Sequence, residues 1–177
     1  MHFPFFRRSR DPNANLEQTL KELQKSTFFA PTPWRIARQM LELAHVQPDD
    51  VVFDLGSGDG RIPIMAAQEF GCRSVGIELD GKLRRISDEK ASEYGLQERV
   101  SFRQEDFFKT DLWNASVVTL YLLTQVNGHL GPRMASQLAK GARVVSLDYE
   151  VPGWRAEKTE TAVSEGDVEY TLYLYRR

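Results

Sequence analysis

The run V-V-F-D-L-G-S-G-D-G-R (Val51 to Arg61) constrains this chain more tightly than any other segment. The β-forming residues Val51 to Phe53 lead into an acid, Asp54. Gly56, Gly58 and Gly60 then alternate with small or acidic residues, and a helical pattern begins directly afterwards. A buried strand that turns through glycines into a helix N-terminus presents bare backbone and N–H groups to a ligand, and it is the opening unit of an open α/β sheet. A tight turn with no ligand is the alternative, but such a turn has no need of three glycines and two acids between Asp54 and Gly60.

The acids select the ligand. A dinucleotide would set its pyrophosphate against Asp54 and Asp59, and its fingerprint spaces the glycines G-x-G-x-x-G where this loop reads G-x-G-x-G. A ligand suited to carboxylates and N–H groups together carries both an ammonium and a carboxylate. S-adenosylmethionine (SAM) does, with a sulfonium charge besides. Asp54 is therefore expected near the amino-acid end of the cofactor, with the backbone of Ser57 to Gly60 and the helix N-terminus facing its carboxylate. Glu78 ends the strand S-V-G-I-E about twenty residues beyond the loop, where nucleotide folds place an acid for the ribose hydroxyls. A third strand, V-S-F-R-Q, is followed by Glu105, Asp106, Phe107 and Phe108. An acid there can accept from the adenine amino group, and an aromatic neighbour can stack on the ring.

The rest of the chain alternates in the same way. Helices are expected at about Arg61 to Phe70, ended by Gly71, and at about Gly81 to Tyr94, ended by Gly95. A fourth strand reads S-V-V-T-L-Y-L-L (Ser116 to Leu123). A helix near Pro132 to Lys140 leads to a fifth, A-R-V-V-S-L-D-Y (Ala142 to Tyr149). Two last strands, about Arg155 to Val163 and Val168 to Tyr175, flank S-E-G-D as a hairpin. The pattern predicts a Rossmann-like α/β fold: a seven-stranded, mostly parallel sheet with a C-terminal antiparallel hairpin. The link between strands three and four is short enough that its helix is expected to shrink to a turn. Upstream, Leu16, Leu20 and Leu23 share one face of a helix over Asn15 to Lys25, and Thr32 is expected to cap a helix with Pro33 in its first turn. This divides the chain into an N-terminal tail and helical arm over residues 1–30 and one cofactor-binding domain over 31–177.

Composition excludes several classes. A net charge of −2 provides no basic field to draw nucleic acid. One cysteine, Cys72, excludes an internal disulfide, and His2, His45 and His129 lack ligand spacing, so no metal is expected. No apolar run is long enough to span a membrane. The opening M-H-F-P-F-F-R-R-S-R inverts the order of a secretory signal, and a cytoplasmic location is expected.

D-L-G-S-G-D-G-R, G-I-E-L-D, E-D-F-F and the closing hairpin resemble class I, seven-strand SAM-dependent methyltransferases. F-F-A-P-T-P before the core, V-V-T-L-Y-L-L on strand four, and R-V-V-S-L-D-Y with P-G-W are similar to a small protein-lysine methyltransferase family. That family includes archaeal broad-specificity enzymes and mitochondrial enzymes that modify ATP synthase subunit c and the adenine nucleotide carrier. The resemblance covers about Thr27 to Trp154. It implies that Asp54, Gly56, Gly58, Gly60, Glu78 and Asp106 hold SAM, that Thr32 closes over its amino-acid end, and that Tyr121 sits near the methyl group. The membrane-associated N-terminal segment of the mitochondrial members is expected to be absent here, so the resemblance does not carry over their particular substrates.

The implied reaction is in-line methyl transfer to the neutral amine of a lysine on a protein substrate. Tyr121, Phe28, Phe29 and Trp154 are expected to line an aromatic channel for it, with Tyr121 and Trp154 as the catalytic pair. Glu105 and Asp148 are available as proton acceptors, but positioning and desolvation are the preferred sources of rate. A nucleic-acid base is one alternative acceptor. Enzymes acting on exocyclic amines tend to carry Asn/Asp-Pro-Pro-Tyr/Phe after strand four, where this chain reads T-L-Y-L-L. A small molecule is another, although only the Asn15 to Lys25 helix is available as a lid. A SAM-binding interaction protein without catalysis is the third.

Overall fold

The computed structural model describes residues 30–177. The expected arm over Asn15 to Lys25, together with Phe28 and Phe29, lies outside the described residues. The elements follow as α1 (Trp34–Leu43), β1 (Val51–Leu55), α2 (Arg61–Phe70), β2 (Arg73–Ile77), α3 (Gly81–Glu93), β3 (Val100–Arg103), β4 (Val117–Leu120), α4 (Thr124–Gln137), β5 (Arg143–Leu147), β6 (Lys158–Val163) and β7 (Glu169–Arg176).

The strands form one seven-stranded sheet in the order β3-β2-β1-β4-β5-β7-β6. The ladders from β3 to β5 are parallel, and β7 runs antiparallel between β5 and β6. The chain builds outward from β1 to β3 and then returns to place β4 on the other side of β1. That reversal opens a crevice at the carboxyl ends of β1 and β4, where ligands of open α/β sheets bind.

Strand alternation sorts the core into two layers. Phe53, Leu55, Val118, Leu120, Val144 and Tyr175 face α4 and the link before β4. Val52, Val117, Val145, Leu147 and Leu174 face the other way, onto Ile36, Met40 and Leu41 of α1 and Ile62 and Met65 of α2. Strands covered on both faces are mostly apolar and buried, as β4 is throughout and β5 is from Val144 on, with Thr119 and Ser146 the polar exceptions. The link over residues 104–116 carries no helix, as its length predicts.

Two local expectations are corrected. The helix expected near Pro132 to Lys140 spans Thr124–Gln137, with Pro132 inside it. Asn127-Gly128 and Gly131-Pro132 have the composition of a turn, and the proline removes one helical hydrogen bond. Packing outweighs this. A Cβ on Gly128 would lie 3.4 Å from Pro152 Cγ, and one on Gly131 would lie 3.4 Å from Trp154 Nε1 and 3.5 Å from Val151 Cγ1. The two glycines let α4 approach the segment 151–154, burying apolar surface that propensity alone does not count. The second correction is at α1, where Thr32 is not the cap. Pro33 holds the N-cap position without a side-chain hydrogen bond. Glu165, in the turn between β6 and β7, accepts instead from the N–H groups of Trp34 at 3.0 Å and Arg35 at 3.4 Å. A carboxylate from a distant hairpin thus meets the positive end of α1.

Candidate active site

The acids expected from sequence stand at the carboxyl ends of three adjacent strands. Asp54 lies within the end of β1, Glu78 directly follows β2, and Asp106 follows β3. Between β1 and α2 the loop turns through left-handed backbone at Gly56 (φ 83°), Gly58 (φ 55°) and Gly60 (φ 80°). Such angles are open to glycine at little cost. At Gly60 space is also missing: a Cβ would fall 2.6 Å from Phe102 Cζ and 2.7 Å from Ser87 Cβ.

Asp54 is only 4% exposed. In the parallel register it sits opposite Thr119 of β4, whose hydroxyl donates to Asp54 Oδ1 at 2.7 Å. Burial pushes its carboxyl up to about 7; the Thr119 hydrogen bond opposes this, and the charges of Glu78 and Asp59 add to it. A buried acid with a hydroxyl partner and acidic neighbours is a place that calls for a cation. Thr119 was missed in the sequence reading; its signal was a single polar residue inside the apolar run V-V-T-L.

Asp59 has a different role from the one expected. Arg61 grips it with two hydrogen bonds of 2.9 Å, and Lys90 Nζ reaches it at 2.8 Å. Its carboxyl sits at about 2, because the bonds from Arg61 and Lys90 and their positive charges outweigh the upward push of burial. The electrostatic case against a pyrophosphate therefore rests on Asp54 and Glu78. Arg61 also donates to the Thr32 carbonyl at 2.7 Å and lies over the Trp34 ring at 5.1 Å, so Thr32, itself buried, is moored to the start of α2.

The loop's N–H groups are mostly engaged, against the expectation that Ser57 to Gly60 leave them free. Those of Gly56 and Ser57 donate to Ile77 O at 2.9 and 3.0 Å, and that of Gly60 to Ser57 O at 2.9 Å. That of Gly58 donates to Glu78 Oε2 at 2.9 Å, while Glu78 Oε1 accepts from the Asp80 N–H at 2.8 Å. Glu78 therefore closes the loop onto β2, and its oxygens keep lone pairs for further donors. The Ser57 hydroxyl turns under the loop, 2.6 Å from where a Cβ of Gly76 would stand, and has no hydrogen-bond partner among the described residues.

Asp106 accepts from the Phe108 N–H through Oδ1 at 2.9 Å. Phe107 is not an open platform. It is 3% exposed, edge-on to Phe108 at 4.7 Å, and its Cε1 lies 4.0 Å from where a Cβ of Gly56 would be. It forms part of the floor beneath the glycine loop.

Tyr121 follows β4, and Asp148 and Tyr149 follow β5. The Tyr121 and Tyr149 rings stack at 6.3 Å with an interplanar angle of 29°. Burial pushes the Tyr121 hydroxyl up to about 12, with Asp148, Tyr170 and Tyr149 adding to the effect. Asp148 adopts left-handed backbone (φ 59°) and is pinned to Thr171, donating through its N–H at 2.7 Å and accepting through Oδ1 at 2.9 Å. Trp154 is not brought to Tyr121. Its ring meets Tyr175 edge-on at 6.1 Å and packs on the α4 side of the sheet, whereas Tyr121 packs on the opposite side. The partner of Tyr121 is Tyr149, which sequence reading did not single out. Glu105, the other candidate acceptor, takes a hydrogen bond from Thr110 at 3.2 Å within its own loop.

A reversed seven-stranded sheet, a triple-glycine turn, a cation-seeking acid at β1 and a second acid at β2 define a class I SAM-dependent methyltransferase. The family profile described as the ANTKMT methyltransferase domain matches residues 54–158, and the chain belongs to that family. It is 40% identical over 148 residues to a protein-lysine N-methyltransferase of Saccharolobus islandicus, covering 83% of this chain and 91% of that protein. It is 34% identical over 122 residues to the adenine nucleotide translocase lysine N-methyltransferase of Mus musculus, covering 68% of this chain and 52% of that one. The chain thus spans about half the length of the mouse relative. Among solved structures it is similar to an RNA methyltransferase from Salinibacter ruber in complex with S-adenosyl-L-homocysteine. The TM-score is 0.77 with 45% identity, covering 83% of this chain and 93% of that one. Among the described residues no helix is long and apolar enough to cross a membrane, and no cluster of His, Cys, Asp or Glu could hold a metal ion.

Proposed function

We propose that this methyltransferase acts on the ε-amine of a lysine in a protein. The observation that carries the reading is the Tyr121–Tyr149 stack with Asp148 beside it, at strand ends adjoining the β1 crevice. Ring faces attract a cation, and an aromatic lining desolvates it. The names of the archaeal and mouse relatives support the same acceptor.

When bound, SAM supplies an electrophilic methyl group on a sulfonium. Asp54 is the group suited to its ammonium, Glu78 to the ribose hydroxyls and Asp106 to the adenine amine. The protein's remaining task is to deliver a neutral amine. A free lysine has a pKa near 10.4, so holding it neutral at pH 7 costs about 4–5 kcal/mol. Desolvation between Tyr121 and Tyr149 lowers that cost, and Asp148 is placed to receive the released proton or to steer the incoming ammonium. Holding the amine in line supplies the remainder.

The description of the Salinibacter protein favours a second acceptor, RNA. One experiment separates the two. Enzyme and isotope-labelled SAM are incubated with a cell extract, which is then fractionated into protein, nucleic acid and small molecules. Label in protein that hydrolyses to methyl-lysine is expected; label in nucleic acid alone overturns the reading.

A further inference from the structure

We propose that the arginine-walled groove over β1, β2 and β3 docks an acidic segment of the protein substrate, which rests on the protein-substrate reading above. The link over residues 104–116 carries no helix, and a groove of about 510 Å³ lies over the half-buried Val51 and the buried Phe53 and Val75. Arg73, Arg99 and Arg103 form its walls, and Glu98 is the one acid that lines it among the described residues. None of these three arginines is in an ion pair among the described residues. Arg103 is laid over the Phe53 ring at 5.8 Å, and Arg99 donates to Gly71 O at 3.3 Å, so both guanidiniums are oriented before any ligand arrives.

A second feature lies next to Asn114, which also lines the groove. Trp113 is 61% exposed, with its backbone N–H fixed on Asp111 Oδ1 at 2.9 Å. Arginine and tryptophan are residue types enriched among those that dominate binding energy at protein interfaces. Guanidiniums match carboxylates in bidentate geometry, which selects acidic side chains. Charges on the edge strand β3 also discourage unwanted strand pairing. That role alone does not require an exposed tryptophan. Phosphates would also fit these guanidiniums, but a nucleic acid draws on a wider basic field than a chain of net charge −2 supplies.

The groove runs from Val51, Arg73 and Val100, the first residues of their strands, to Arg103, the last of β3, whereas the cofactor acids stand at or beyond the carboxyl ends. A five-residue strand spans about 15 Å. The groove lies on the α4 side of the sheet and Tyr121 packs on the other, so a segment held here would anchor the substrate while a linker passing round the strand ends carries the target lysine to Tyr121. Recognition of this kind lowers KM and leaves the chemical step alone.

The test uses a fluorescein-labelled, lysine-free peptide of alternating Glu and Leu, followed by anisotropy with the full chain. Binding is expected, and Arg73→Glu, Arg99→Glu and Arg103→Glu together should weaken it about tenfold or more. SAM binding by calorimetry should be unchanged, which shows that the triple variant is folded. Trp113→Ala, at an exposed position, should weaken the peptide in the same direction. For a methylatable lysine peptide with an acidic tail, the triple variant should raise KM about tenfold with kcat unchanged. Equal peptide binding by wild type and folded variants overturns the proposal. So does a single-stranded RNA oligonucleotide that binds more tightly than the peptide and is lost on charge reversal. If charge reversal abolishes peptide binding while no lysine is ever methylated, the groove stands and the lysine reading falls.

Discussion

Asp54 concentrates the chemistry of the crevice in one carboxyl. Held at about 7 by burial, against an ordinary value of 3.8, it keeps a proton in the folded chain that the unfolded chain releases. Its contribution to stability is therefore fully present below about pH 4 and is lost as pH rises through 7. The folded protein bears this cost for a site that an ammonium can occupy. An arriving ammonium favours the ionised form, so cofactor binding near pH 6.5 should expel most of one proton. Calorimetry in buffers of different ionisation enthalpy reads this directly. Proton release is expected to fade by about pH 8 and to vanish in Asp54→Asn, with affinity about tenfold weaker or more. A binding enthalpy independent of buffer near pH 6.5 would remove Asp54 from contact with the ammonium.

The elements differ in how plainly the sequence announces them. The position of β1, the glycine loop and the bounds of α2 were legible in the sequence, although β1 runs on to Leu55 and the loop's N–H groups are engaged. A β-branched strand, positive-φ glycines and a helix bounded by Gly71 are local signals that all agree. α4 was not, because its two glycines are explained only by their close approach to Val151, Pro152 and Trp154, which are distant in sequence. The three strand-end acids were legible for the same local reason, while Thr119 and Tyr149 were not. Strand pairing and the β5 turn bring those two into place, and neither has a motif. Trp154 illustrates the cost of reading an aromatic without its partners. Its ring rests on Tyr175 and beside Gly131, so Trp154→Ala should lower unfolding stability by about 2–4 kcal/mol through the cavity it leaves, with kcat unchanged. Chemical denaturation and steady-state kinetics on the same variant check both halves. A tenfold fall in kcat at unchanged stability would return Trp154 to the Tyr121 site.

At the scale of the whole molecule, the crevice stays open only if β1, β4 and β5 hold their register at the opposite end of the sheet. One polar cluster ties those ends together. Asp50, just before β1, pairs with Arg143 at the start of β5 and accepts from Ser116 at 2.7 Å, just before β4, and from the Gln47 N–H at 2.7 Å. Arg143 also donates to the carbonyls of Ala44 and His45 at 3.1 and 3.2 Å, which brings in the end of α1. Burial pushes the Asp50 carboxyl up, but the hydrogen bonds from Ser116 and Gln47 and the Arg143 cation prevail and hold it below its ordinary 3.8. This contribution is present above about pH 4 and is lost as pH falls through the depressed value. Arg143→Met leaves Asp50 buried without its cation, so a loss of about 3–5 kcal/mol is expected at pH 7. Adding Asp50→Asn should restore part of it, because the penalty lies mainly in the stranded charge, and the two changes share one network. The single variant should also lose less further stability than wild type on acidification towards about pH 3, since the group that stabilises by staying ionised has already lost its partner. Denaturant titrations of wild type, single and double variants at both pH values decide the matter. Additive losses with an unchanged acid response would show that the cluster packs the sheet base without coupling its strands.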